Sequence, residues 1–135
     1  MKRFLFVWWW NRASKMYDRW HDGLKAGLLE IGKIWDVEIS LGEVYPEEKN
    51  WECVLVWGDS NCPFLDKIQE YNGKKGIILT TNPANIEKLK KLDTIFCESD
   101  PVYEEVRRQG LHAVKAFGTD ESFFTPDLKV KKDIP

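Results

Sequence analysis

The chain has 135 residues, of which 43% are apolar and 31% are charged. This is enough for one domain with a hydrophobic core, and it excludes an intrinsically disordered segment. The formal net charge of −2 gives no overall field that would attract nucleic acid or an acidic membrane surface, so no nucleic-acid partner is expected. Three cysteines lack metal-type spacing, and Cys53 and Cys97 lie inside apolar runs, which favours reduced thiols and a cytoplasmic location.

The N-terminal segment resembles a short signal peptide, because two basic residues precede an apolar run from Phe4 to Trp10. The polar residues Asn11 and Arg12 end that run, and no small-residue cleavage site follows. The run is also shorter than the ~20 residues that a membrane-spanning helix requires. It is better interpreted as a buried first strand, and no transmembrane segment is expected.

Six short apolar runs rich in β-branched and aromatic residues predict six strands. Most of these runs are continuous rather than alternating, which is typical of strands covered on both faces of a parallel sheet. The predicted strands are residues 3–10, 36–41, 52–57, 76–81, 93–98 and 113–117.

Helical patterns lie between most of these runs. The longest follows a predicted cap at Ser14 and repeats apolar residues every three to four positions. A second helix is predicted to start at Pro63, and a short third helix to run from Ile86 to Leu92. The fourth is predicted to be capped by Asp100 and to end at Gly110.

Alternating strands and helices predict a three-layer α/β/α Rossmann-like domain with a mainly parallel six-stranded sheet, ordered 3-2-1-4-5-6. One connection, from Gly42 to Trp51, is short for a parallel crossover, even with a helical turn after Pro46. Antiparallel pairing of strands two and three therefore remains an alternative. The predicted domain covers residues 1–126, and the charged residues 127–135 are predicted to begin an interdomain linker.

Ligands of such sheets bind at the carboxyl ends of the strands, so the candidate site residues lie in the loops that follow them. Arg12 suits a phosphate or carboxylate, and Trp10 offers a stacking surface for a sugar. The thiol of Cys62, just before a predicted helix start, could have a lowered pKa. Turn formation and helix capping are the competing explanation for several of the polar side chains. The candidates are Trp10, Asn11, Arg12 and Ser14; Gly58, Asp59, Ser60 and Asn61; Thr80, Thr81 and Asn82; Glu98 and Ser99; and Gly118, Thr119, Asp120 and Glu121.

Several familiar sites are absent from the sequence. It has no G-x-G-x-x-G after the first strand and no P-loop. No metal-ligand set or Ser/His/Asp or Cys/His set can be assembled, so no metal site is expected and the catalytic residues are unknown.

The last part of the chain resembles a known group of enzymes. The run Gly118-Thr-Asp120-Glu-Ser-Phe-Phe124-Thr-Pro126 fits the pattern G-x-D-x-x-x-F-x-P. That pattern is similar to one in glycosyltransferase family 4 and in spore-maturation-type glycosyltransferases, which have the two-domain GT-B architecture. The resemblance covers residues 74–127 with its motifs, and residues 1–73 only by topology.

The resemblance implies an N-terminal, acceptor-side domain of an enzyme that moves a sugar from a nucleotide-sugar to a sugar, lipid or protein acceptor. The nucleotide-sugar would be a co-substrate, with no tightly bound cofactor, and the segment would be inactive without a C-terminal donor-binding domain. Gly118, Asp120 and Phe124 would form the exit toward that domain. Asn11 and Arg12 are predicted to face the donor phosphates, and Trp10, Asp59, Thr81 and Asn82 the acceptor.

Two alternatives from other classes remain. The chain could be a stand-alone flavodoxin-like domain that binds a small ligand or has a regulatory role. It could also be a non-catalytic interaction domain that uses exposed tryptophans.

Overall fold

Continuous apolar runs form the strands of one parallel sheet. The computed structural model describes residues 2–9, 26–41, 44–81 and 83–116. The strands are β1 (Lys2–Trp8), β2 (Trp35–Leu41), β3 (Cys53–Gly58), β4 (Lys74–Leu79), β5 (Thr94–Cys97) and β6 (Ala113–Lys115). All five neighbouring pairs are parallel, in the order β2-β1-β3-β4-β5-β6. The predicted Rossmann-like α/β fold with six parallel strands is confirmed.

The predicted strand order 3-2-1-4-5-6 is wrong, because β3 lies between β1 and β4. The side chains of Val54, Val56 and Trp57 on β3 are at most 1% exposed, as expected for a strand with neighbours on both sides. Strand β2 lies at one edge of the sheet, and its Ile39 is 45% exposed. Antiparallel pairing of β2 with β3 is also excluded, since both strands pair in parallel with β1.

The helical segments differ in part from those that the sequence predicts. Helix α1 includes residues 26–31, helix α2 is Ile86–Leu89, and helix α3 is Asp100–Arg108. The predicted helix at Pro63 is instead two 3₁₀ turns, Pro63–Asp66 and Ile68–Glu70, with hydrogen bonds three residues apart. Residues 44–50 contain no helical turn, so the turn predicted after Pro46 is absent.

Side chains alternate between the two faces of the sheet and produce two apolar clusters. One face, here called the α1 face, places Phe6, Trp8, Trp57 and Ile78 in a cluster with Leu28 of α1. The opposite face is covered by the 3₁₀ turns, α2 and α3. Helical segments therefore cover both faces, which gives the predicted three layers.

Local chemistry sets the helix ends. Ser99, in an extended conformation, is the N-cap of α3, and its Oγ accepts a hydrogen bond from the backbone N–H of Val102 at 3.5 Å. The prediction that Asp100 is the cap is wrong, because Asp100 is already the first helical residue. Gly110, at φ +79°, follows the end of α3 as predicted. Gly73, at φ +97°, allows close approach of the Trp51 carbonyl, which a Cβ would block.

Candidate functional site

The strand order reverses between β1 and β3. From these neighbouring strands the chain proceeds to opposite sides, from β1 to β2 and from β3 to β4. Ligands of open parallel sheets bind at such a switch point. The described residues that follow the strands are called the carboxyl edge: Trp9, residues 59–62, 80–81, 83–85 and 98–99, and Ala116.

Trp57 and Glu98 form a polar contact at this edge, on the α1 face. The ring of Trp57 contacts that of its register partner Trp8 at a centroid distance of 5.7 Å. Its Nε1–H donates a 3.1 Å hydrogen bond to Oε1 of Glu98. Trp57 is 1% exposed, so the core fixes the direction of this donor. Glu98 is half-buried, and burial raises the pKa of its carboxyl, against the smaller opposing effect of the Trp57 hydrogen bond.

Ser60 joins the loops after β3 and β4. Its hydroxyl accepts hydrogen bonds from the backbone N–H groups of Ala84 at 3.0 Å and Asn85 at 3.1 Å. Ser60 is 1% exposed, so it is enclosed by the loops that it connects. Oδ1 of Asp59 accepts a 2.7 Å hydrogen bond from the Asn61 N–H, which stabilises the turn. These contacts give Ser60 and Asp59 structural roles.

The structure places two of the predicted acceptor-side residues at the carboxyl edge. Asp59 is held in its turn, and Thr81 is exposed directly after β4. The other residues with a predicted donor, acceptor or exit role lie outside the described residues: Trp10, Asn11, Arg12, Asn82, Gly118, Asp120 and Phe124.

Cys62 does not have the lowered pKa that its position suggests. Its side chain is 0% exposed, and burial raises the pKa of the thiol to about 12. Backbone hydrogen bonds from Phe64 and Leu65 oppose this shift without reversing it. All three cysteines are free, as predicted. Cys62 is therefore a core residue with almost no thiolate at neutral pH.

The carboxyl edge is acidic. Its described loop residues include Asp59 and Glu98, and none of them is lysine or arginine. Lys115 is the last residue of β6, and its Nζ lies 2.9 Å from Oδ1 of Asp100. Within the described part of the chain, this edge suits a neutral or cationic ligand and disfavours a phosphate.

Sequence reasoning included Glu98 among the candidate loop residues but assigned it no donor-side or acceptor-side role. The available signal was its position directly after β5 and two residues after Phe96, which puts both side chains on the α1 face. The contact with Trp57 joins residues 41 positions apart and has no local signal.

The chain was compared with protein-family models, curated proteins and solved structures, and none of the three comparisons found a match. Among the described residues, no helix has both the length and the apolar composition needed to cross a membrane. The same residues contain no group of three or more His, Cys, Asp or Glu side chains placed to hold a metal ion.

Proposed function

We propose that this chain is the N-terminal, acceptor-side domain of a nucleotide-sugar-dependent glycosyltransferase of GT-B architecture. The observation that carries the proposal is the G-x-D-x-x-x-F-x-P pattern from Gly118 to Pro126. In this chain the pattern follows the sixth strand of a parallel Rossmann-like sheet. Its place in the sequence therefore matches the role expected for it, at the end of an N-terminal domain.

The chemistry of the carboxyl edge supports the acceptor side. An acceptor contributes neutral hydroxyl groups, whereas a nucleotide-sugar donor contributes two phosphates. The described loops of this edge offer carboxylate, hydroxyl and amide groups, with no basic side chain to neutralise a phosphate. We assign the donor phosphates to a second domain, with Asn11 and Arg12 as their contacts on this chain.

The proposed reaction is a group transfer that depends on positioning. An acceptor hydroxyl forms a bond to the anomeric carbon, the bond from that carbon to the nucleoside diphosphate breaks, and the hydroxyl proton is released. Holding the hydroxyl close to the anomeric carbon removes much of the entropic barrier. Stabilisation of the negative charge on the departing diphosphate lowers the activation free energy further.

The test is a transfer assay with the natural protein that contains this chain. UDP- and GDP-sugars labelled in the sugar are incubated with a mixture of simple glycosides, lipids and peptides as acceptors. We expect release of nucleoside diphosphate that depends on the acceptor and falls at least tenfold in the Arg12→Ala variant, as for loss of a charged hydrogen bond. Release that never exceeds spontaneous hydrolysis with any donor would overturn the proposal. Unchanged turnover in Arg12→Ala would overturn only the phosphate assignment.

The strand order favours one second candidate. Five of the six strands follow the order 2-1-3-4-5 of flavodoxin-like domains, which bind a ligand between β1 and β3. If strand 3 is removed from the order 3-2-1-4-5-6, strands 2-1-4-5-6 remain, and numbered along the chain they have the order 2-1-3-4-5. The strand order therefore fits both candidates. Titration with FMN separates them, because the flavodoxin-like candidate predicts saturable quenching of flavin fluorescence at micromolar FMN.

The third possibility, an interaction surface of exposed tryptophans, has less support. The five described tryptophans are all buried or half-buried: Trp8, Trp9, Trp35, Trp51 and Trp57.

A further inference from the structure

We propose that Glu98 binds a hydroxyl group of the acceptor, and that Trp57 positions the Glu98 carboxylate for this contact. The inference rests on the proposed function, and it gives a binding role to a residue that the sequence reasoning left without a donor-side or acceptor-side role.

The Glu98 carboxylate is held in place, and only one of its oxygens has a hydrogen-bond partner among the described residues. Oε1 accepts the hydrogen bond from the indole of Trp57, which the core holds in place. Oε2 has no hydrogen-bond partner among the described residues, and a carboxylate oxygen can accept more than one bond. A fixed carboxylate with an open oxygen can bind a donor without first losing side-chain freedom.

The other acidic groups near the ends of the strands have partners that Glu98 lacks. Asp59 bonds a backbone N–H within its own turn. Asp100 forms an ion pair with Lys115. Glu98 differs because its one described partner is a neutral indole, so no cation among the described residues pairs with its negative charge.

The charge of Glu98 limits the class of ligand. A half-buried carboxylate that has no cation beside it among the described residues repels phosphate and attracts a group with a polarised hydrogen. The hydroxyl of a sugar is such a group, and it adds no charge to the site. An ammonium group would also be attracted, so an amino sugar serves as a comparison in the test.

The experiment measures binding of methyl α-glucoside, methyl α-galactoside, methyl α-mannoside and glucosamine by NMR. The side-chain carboxyl carbon of Glu98 is observed in protein labelled with ¹³C-glutamate. We expect at least one methyl glycoside to shift this signal. The pKa of Glu98 should decrease at saturation, because a hydroxyl donor favours the charged form.

Variants separate binding from a structural role. Glu98→Gln keeps an oxygen that can accept the Trp57 hydrogen bond but removes the charge, and we expect Kd for the glycoside to rise about 10- to 100-fold. Trp57→Phe should also weaken binding, because it removes the N–H donor that orients the Glu98 carboxylate. The effect should be smaller than that of Glu98→Gln, because the charged carboxylate remains. The control is Glu104→Gln, the same change at an exposed position of α3, and it should leave Kd unchanged.

The outcomes distinguish failure of this inference from failure of the proposed function. In one outcome, a glycoside shifts other amides of the carboxyl edge, the Glu98 pKa does not change, and Kd for Glu98→Gln stays within twofold of wild type. That result overturns the role of Glu98 but not the proposed function. If no methyl glycoside shifts any amide of this edge, the inference about Glu98 is overturned, whereas the proposed function, which also allows lipid and protein acceptors, is decided by the transfer assay. Binding of glucosamine alone would replace the hydroxyl with an ammonium group as the ligand and would also overturn the inference.

Discussion

Replacement of Ser60 by alanine tests how the two loops of the candidate site are joined. The change removes the acceptor of hydrogen bonds from the Ala84 and Asn85 amides. Each neutral bond contributes about 0.5–1.5 kcal/mol net, so the loss should be about 1–3 kcal/mol. The net value applies because Ala84 is exposed, so water can replace the lost partner of its amide.

The matched control is Ser99→Ala, the same chemical change at the cap of α3. The Ser99 hydroxyl accepts one long bond, 3.5 Å from the Val102 nitrogen, so its loss should cost about 0.5 kcal/mol, the lower end for an N-cap. Urea denaturation followed by tryptophan fluorescence gives both free energies of unfolding. Hydrogen exchange should also show faster exchange at Ala84 and Asn85 in Ser60→Ala only. Equal destabilisation by the two variants, with unchanged exchange at these amides, would refute this account of the loops.

Three further predictions concern the backbone, a thiol and a carboxyl. Gly73→Ala should destabilise the protein about 1–3 kcal/mol more than Gly110→Ala, because both have positive φ but only a Cβ at Gly73 meets a backbone carbonyl; equal losses in thermal denaturation would contradict this. Cys62, with a thiol pKa of about 12, should react with a disulfide reagent at pH 8 only as fast as the protein opens, and rapid labelling located by mass spectrometry would contradict it. The pKa of Glu98 is raised above its reference value of 4.5, so its stabilising contribution is complete below the unfolded-state pKa and is lost as pH rises through the folded-state pKa. Glu98→Gln should therefore be more stable than wild type at pH 7, with no gain near pH 4, and equal stability at both pH values would contradict the shift.

The strands could be predicted from the sequence because continuous apolar runs are typical of strands that are buried on both faces. Residues 36–41 and 113–117 were predicted, and the structure gives Trp35–Leu41 and Ala113–Lys115. The stop at Gly110 was also predictable, because a helix end in the left-handed region favours glycine. These features depend on a few neighbouring residues.

The strand order could not be predicted from local patterns, because it depends on contacts between segments that are distant in the sequence. Continuous apolar runs show that a strand is buried without showing which strands lie beside it. The alternation of Asp36, Glu38 and Ser40 with apolar residues was a local signal that β2 is an edge strand. With β2 at the edge beside β1, β3 can lie on the other side of β1 only if the short connection from β2 to β3 crosses β1. The sequence does not show that this connection crosses a strand.

The candidate site was predictable in location and only partly in residues. The carboxyl edge follows from a parallel sheet, and Asp59 and Thr81 lie in loops at that edge, while their contact with an acceptor stays a prediction. The turn role of Asp59 was foreseen as an alternative, since aspartate often bonds the backbone two residues later. The contact between Trp57 and Glu98 depends on the packing of three strands and had no signal within either segment.

The most direct test of the central claim is a map of amide shifts on wild-type protein as methyl glycosides and FMN are titrated separately. The account predicts that a methyl glycoside shifts the amides of Asp59, Thr81 and Glu98, with FMN causing no saturable change. The amides of Arg3 and Trp51, at the opposite ends of the strands, should remain unchanged. Saturable shifts caused by FMN alone, or glycoside shifts confined to Arg3 and Trp51, would contradict the account.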